Sequence, residues 1–383
     1  MSPNAGAGAR ASRPRLRPGL PTVWRDPATV QVGLSATSGA VVTGLREGDD
    51  VVLAALDGTR TLPQLRTLAR AQGVAAARVD LIVGLMQDAG LLVSEREGDR
   101  AADRADLARL DPRTRARLEP DAQAWAAAYR GAGDGLLLLT ERGRRHVHVE
   151  GDGRVAAGIV TTLACAGVGI VTTSELGLVR DSDVLPAGAG LSDVGAATGA
   201  AVRQAVGRVR GEPQARADRI AGREGQHRPD LTVLVADDVV DSRRGDELVR
   251  HDVPHLAVVT TPDRVVIGPL VLPGRTPCLR CLDLHRRDRD PAWPQVVAQL
   301  LSAQVRRGSG RSETASATAA AGLAALQALV LLDGHATPAS VGRTLELTLP
   351  DGLVERRAWR LHPSCGCARL PRPSRVSARG APT

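Results

Sequence analysis

Two cysteine pairs constrain this chain more than any other feature. Cys278 and Cys281 form a Cys-x-x-Cys turn, and Cys365 and Cys367 form a second close pair far along the sequence. Thiolates are soft ligands suited to a tetrahedral zinc ion, and such a turn presents two sulfurs to one ion. If both pairs serve the same ion, the intervening chain must fold back on itself. The strand-turn-strand stretch over 344–359 would carry the second pair home. Four sulfur ligands leave no open position, so the expected zinc is structural. His285 and His362 lie close in sequence and are expected beside the site rather than on the metal. Cys165 is expected as a small core residue within a helix.

The core must be aliphatic, because the chain has no Phe and its only large aromatics are Trp24, Trp125, Trp293, Trp359 and Tyr129. All fifty basic residues are Arg, and the net charge is +8. That excess sits in the termini: Arg10, Arg13, Arg15 and Arg17 at one end, Arg369, Arg372, Arg375 and Arg379 at the other, with no acid among them. Residues 1–20 and 369–383 therefore read as disordered basic tails and the body as near neutral, which argues against a nucleic-acid partner. No apolar signal segment follows the first residues. The uncharged run over 314–332 is rich in Ala, Ser and Thr, which fits a buried helix better than a membrane span. Five cysteines without an export signal imply a reducing, cytoplasmic setting, in which spaced cysteines bind metal.

The chain reads as two domains. Alternation over 29–34 and 40–45 predicts two strands. Helices follow over about 49–56, over about 61–72 from a Thr61/Gln64 capping box, and through Val79, Ile82, Val83 and Met86. This predicts a small winged-helix-like α+β domain over 21–96. Residues 97–140 read as a charge-dense connection and a helix from about Pro120 to Arg130, expected to dock on the second domain. Over 141–368, strands at 146–150, 169–173, 231–235, 255–259 and 264–268 alternate with helices at about 155–166, 195–209, 241–251 and 314–333. That pattern predicts an α/β, Rossmann-like domain with a mostly parallel sheet.

Between the first of these strands and its helix lies Gly151-Asp152-Gly153-Arg154-Val155-Ala156, a GxGxxA turn. Such glycines let backbone approach phosphates at a helix N-terminus. Together with the run over 163–169, the Asp237-Asp238 pair at a strand end, the segment over 268–282 and His362-Pro363-Ser364-Cys365-Gly366-Cys367, it resembles the ThiF, MoeB and HesA family of adenylating proteins. The resemblance implies a nucleotide site at Gly151 and Gly153, with Glu175 holding the ribose, Asp237 or Asp238 on Mg²⁺, and a structural zinc. Dimerisation through the sheet is common in that family. The phosphate ligands do not carry over. Asp152 and Arg154 replace small loop residues, the segment over 184–190 holds neither Asn nor Arg, and the expected Lys falls near Thr198 in a chain without Lys. Adenylation depends on cations at the transferring phosphates. ATP and Mg²⁺ are therefore doubtful cofactors, and the domain reads as a non-catalytic scaffold without catalytic residues.

Residues 23–94 resemble PqqD-like peptide-recognition domains, also called RiPP recognition elements. The resemblance implies that a precursor leader peptide adds as a strand beside Val41 and Thr43, against Arg78, Leu81 and Leu85 of the third helix. Fused to a ThiF-like domain, this resembles the leader-binding partners of cyclodehydratases in bacteriocin biosynthesis, with a separate YcaO-type enzyme making the azolines. Two rivals are an active adenylating enzyme and a zinc-stabilised DNA-binding regulator. The missing Lys argues against the first, and the acidic balance of Asp80 and Asp88 against Arg78 argues against the second.

Overall fold

The computed structural model describes residues 13–35, 38–93, 110–129, 135–174, 177–210, 228–307 and 312–369. The chain divides into two compact units, residues 1–140 and 141–383.

In the first unit, β2 (Thr22–Asp26), β3 (Thr29–Val32) and β4 (Ala40–Thr43) form an antiparallel sheet in the order β2-β3-β4. Sequence alternation missed β2, whose residues are all exposed and so show no buried period. Three helices follow: α1 (Asp49–Ala54), α2 (Leu62–Ala71) and α3 (Ala76–Asp88). The expected capping box starts α2, with Gln64 returning to the Thr61 amide at 2.8 Å. Val30, Val32 and Val42 of the sheet share one aliphatic core with Leu65, Val79, Ile82 and Met86 of the helices.

The expected tail over 1–20 needs correction over its described part. Arg15–Leu16 forms β1, which pairs antiparallel with β5 (Leu92–Val93). Arg17 is buried and donates to the carbonyls of Ala126 and Ala127. Those carbonyls end α4 (Pro112–Ala128), where unpaired backbone acceptors favour a cation. The helix expected from Pro120 thus begins earlier, with Asp111 as its N-cap and Pro120 inside it, and it belongs to the first unit. A basic residue in a Pro- and Gly-rich stretch gives no sign that it will cap a helix so distant in sequence.

The second unit is built on a seven-stranded sheet in the order β12-β11-β10-β9-β8-β6-β7. Its members are β6 (His146–Glu150), β7 (Ile170–Thr173), β8 (Leu231–Asp237), β9 (His255–Thr260), β10 (Arg264–Val271), β11 (Arg343–Thr348) and β12 (Val354–Ala358). The first four are mutually parallel, as expected for a Rossmann-like unit, and the last three continue the sheet antiparallel. Helix α5 (Leu136–Arg142) spans the division between the units, and α6 (Gly153–Cys165), α7 (Thr198–Arg210) and α8 (Ser242–Arg250) follow the parallel strands. Beyond β10 come α9 (Leu279–Arg289), α10 (Trp293–Arg307) and α11 (Thr314–Asp333).

Helix α11 is long and apolar enough to cross a membrane, yet its alanines pack on α6, where a Cβ on Gly158 would press on Ala321. Its last residue, Asp333, takes a two-pronged ion pair from Arg142 at 2.7 and 2.6 Å, both side chains being essentially inaccessible. Cys165 sits exposed at the end of α6, which corrects the expectation of a core position.

Candidate functional site

The four cysteines meet as expected, all buried, with every sulfur within 4.8 Å of the others. Cys278 Sγ lies 3.9 Å from Cys281 and 3.6 Å from Cys365, and Cys281 lies 3.4 Å from Cys367. A tetrahedral ion with Zn–S bonds of about 2.3 Å would set sulfurs about 3.8 Å apart, so the donor set fits a tetrahedral ion. Cys278 caps α9 and Cys281 lies in its first turn, while the hairpin of β11 and β12 returns the second pair. The backbone amide of His362 points at Cys281 Sγ. Ser364 donates its amide to His362 Nδ1, which leaves the proton on Nε2, 2.8 Å from Asp288. His362 therefore stands beside the cluster, held by a carboxylate, and His285 is bonded to the Arg360 carbonyl.

The GxGxxA turn opens α6 at the end of β6, as expected. Gly151 and Gly153 both have positive φ, and a Cβ on Gly151 would overlap the Val235 carbonyl. Asp152, Gly153, Arg154, Asp237, Thr260 and Ser312 line a shallow cleft with a volume of only about 20 Å³. That is far below the roughly 300–1,000 Å³ of a small-molecule site.

The polar groups of the cleft are engaged with the chain itself. Arg154 donates to the Ser312 carbonyl and to Thr314 Oγ1 at 3.0 Å. The Thr260 hydroxyl donates to Asp237 Oδ1, and Gln304 of α10 donates to the carbonyls of Asp237 and Val239. Asp238 has positive φ, donates its backbone N–H to the Thr260 carbonyl at 2.8 Å, and does not line the cleft. Glu175 lies outside the described residues.

Sequence reading missed Asp183, whose only local signal was an Asp-Ser-Asp turn. It is 9% exposed, and its Oδ1 has no partner among the described residues. Burial pushes its carboxyl up and the nearby Asp152 adds to this, against Arg180 and Arg154. Asp183 thus stands close enough to Asp152 and Arg154 of the GxGxxA turn to feel the charge of both.

A polar row also crosses one face of the sheet, with Thr172, His148, Thr232 and His255 in register on adjacent strands. Thr172 Oγ1 bonds both His146 and His148, at 3.0 and 2.9 Å. Glu150 is tied to Arg244 of α8. Each of the three polar side chains of β6 is thus held by at least one neighbour. His255 is fully buried, with Nδ1 on the Val253 carbonyl, and burial drives its pKa down to about 4.

In the first unit, β4 is an open sheet edge with Val41 and Thr43 exposed. Leu81 and Leu85, one turn apart on α3, are 50% and 41% exposed. Arg78 is engaged within the unit. It grips the buried Asp49 carboxylate through Nε and Nη2 and donates to the Gly44 carbonyl at 2.7 Å. A carboxylate buried at the start of α1 requires a cation, and Arg78 supplies it while fixing the end of β4 to α3.

No protein-family model and no curated relative matches the sequence. Solved structures do. Escherichia coli MccB superposes with a TM-score of 0.62 at 15% identity, covering 93% of this chain and 96% of that one. MccB with AMPCPP and MccA superposes at 0.65, with 13% identity over 93% and 99% of the two chains. The heterocyclase TruD superposes at 0.57 with 15% identity, over 93% of this chain and 43% of TruD. At such identities the likeness concerns architecture alone: the chain has the fold of MccB.

Proposed function

We propose that this chain captures a ribosomal precursor peptide on its first unit and presents it to a separate YcaO-type, azoline-forming cyclodehydratase, as a zinc-closed scaffold in a reducing compartment. Two observations carry the reading: the outer edge of β4 has no strand paired to it among the described residues, and Leu81 and Leu85 of α3 are exposed, Arg78 of that helix being bonded to the Gly44 carbonyl just beyond β4. An extended peptide added to such an edge gains backbone hydrogen bonds, and apolar neighbours select its side chains. The neighbours lend support, since one is a microcin C7 biosynthetic enzyme solved with N-formylated MccA and another is a heterocyclase.

The second unit supports a scaffold role over adenylation. Phosphoryl-type transfer is catalysed chiefly by positive charge and metal at the phosphates. Here Asp152 and Asp183 stand near the loop, Arg154 is bound to Ser312 and Thr314, and no Lys exists.

The test uses the full chain and the leader peptides of precursors encoded beside it. Fluorescence anisotropy should show saturable binding of one leader, while ATP–pyrophosphate exchange stays at background with that peptide present. Exchange above background would restore the adenylating alternative. Failure of every such leader to bind would remove the peptide-capture reading.

A further inference from the structure

Helix α3 carries two local costs that nothing among the described residues offsets. Gly84 lies in its interior, where glycine is the poorest helix former after proline. No conformational need explains it, because its φ is not positive, and no crowding does either, because a Cβ there would meet nothing within 4 Å. Asp88 ends the helix at the negative pole of its dipole, where a cation is favoured instead. It is exposed and takes part in no ion pair among the described residues.

Both residues lie on the stripe that bears Leu81 and Leu85, since positions 81, 84, 85 and 88 repeat at helical spacing. Gly84 is thus a bare notch between two exposed leucines. Arg78, the cation nearest in sequence on this helix, is neutralised by Asp49. The stripe therefore presents an apolar hollow followed by an uncompensated negative charge.

We propose that this stripe reads an extended peptide in which a bulky aliphatic side chain seats over Gly84 and a basic side chain two residues away meets Asp88. The spacing agrees with the geometry. Four helical residues from Gly84 to Asp88 rise about 6.0 Å, and alternate residues of a strand lie about 6.6–6.8 Å apart. The inference rests on the peptide-capture reading and adds the chemistry of the captured segment.

The experiment selects a random dodecapeptide display library on the full chain, then measures the enriched peptide by fluorescence anisotropy. Enriched peptides should carry Leu, Ile, Val or Met two positions from Arg or Lys. Gly84→Leu should weaken binding by about tenfold or more, while the thermal midpoint stays the same or rises. Gly84→Ala, the milder variant, should raise the midpoint and weaken binding less. Asp88→Lys should exchange the preference for a basic residue for an acidic one.

Enriched peptides without this spacing would overturn the inference. So would Gly84→Leu binding within about twofold of the parent. Either result would leave peptide capture standing. No enrichment over an unrelated control protein would remove the inference and the peptide-capture reading together.

Discussion

His255 should make the second unit acid-sensitive by a calculable amount. It is fully buried at the start of β9, in register with Thr232 on β8 and Val271 on β10. Its Nδ1 bonds the Val253 carbonyl, and its Nε2 has no partner among the described residues. Burial holds its pKa at about 4, against 6.5 for the free side chain. The folded chain therefore binds fewer protons than the unfolded one between those values. The corresponding stability is fully present above pH 6.5 and is lost as the pH falls towards 4. At about 1.4 kcal/mol per pH unit, the complete loss is about 3.5 kcal/mol, of which about 2.5 kcal/mol is expected by pH 4.5.

Acid would also protonate the cysteines of a metal-loaded cluster, so the informative quantity is a difference between proteins. His255→Asn keeps a donor near Nδ1 and removes the titration. Urea denaturation of the parent and the variant, followed by hydrogen exchange in β9, should show the parent losing about 2.5 kcal/mol relative to the variant between pH 7.5 and 4.5. A constant difference across that range would refute the reasoning, because it would mean that the buried imidazole accepts its proton at no cost.

Three further outcomes follow from the same geometry. Cys365→Ser should reduce tightly held zinc from about one per chain to near none by metal analysis, and destabilise the second unit, because binding energy at such sites is folding energy. Arg142→Met should cost about 3–5 kcal/mol in urea denaturation by stranding Asp333, whereas adding Asp333→Leu should recover most of it, since the pair rather than either charge is what the interior tolerates. Leu81→Asp and Leu85→Asp should each weaken leader binding by about 1.5–3 kcal/mol, the value of a buried leucine, without lowering the thermal midpoint of these exposed positions.

Much of the second unit was legible because its signals are local. Strands β6, β8 and β9 and helix α11 announce themselves by apolar runs of the right length, and the GxGxxA turn by its glycines. The helices α9 and α10 were not legible. Helix α9 is charged along most of its length and buries little beyond Leu279, Cys281 and Leu282, so no apolar period marks it. In the first unit, β2 was hidden for the same reason, and β1 by being two residues long.

The sequence by itself determined the ligand types, the alternation of strand and helix, and the absence of a lysine for phosphate. These are properties of residue identity and short-range spacing. Tertiary structure alone decided which groups are already engaged. Arg78 looks like a ligand for a partner until the buried Asp49 is found beside it, and Arg17 like tail until the end of α4 is found above it. Asp183 is one acid among many until burial and Asp152 raise its proton affinity. Gly84 and Asp88 show the converse. Any sequence can place a glycine and an acid one turn apart, and only the folded chain reveals that neither meets a reason to be there among the described residues. Whether a polar or flexible residue serves the fold or a partner depends on what lies within a few ångströms of it, and long-range folding sets that distance.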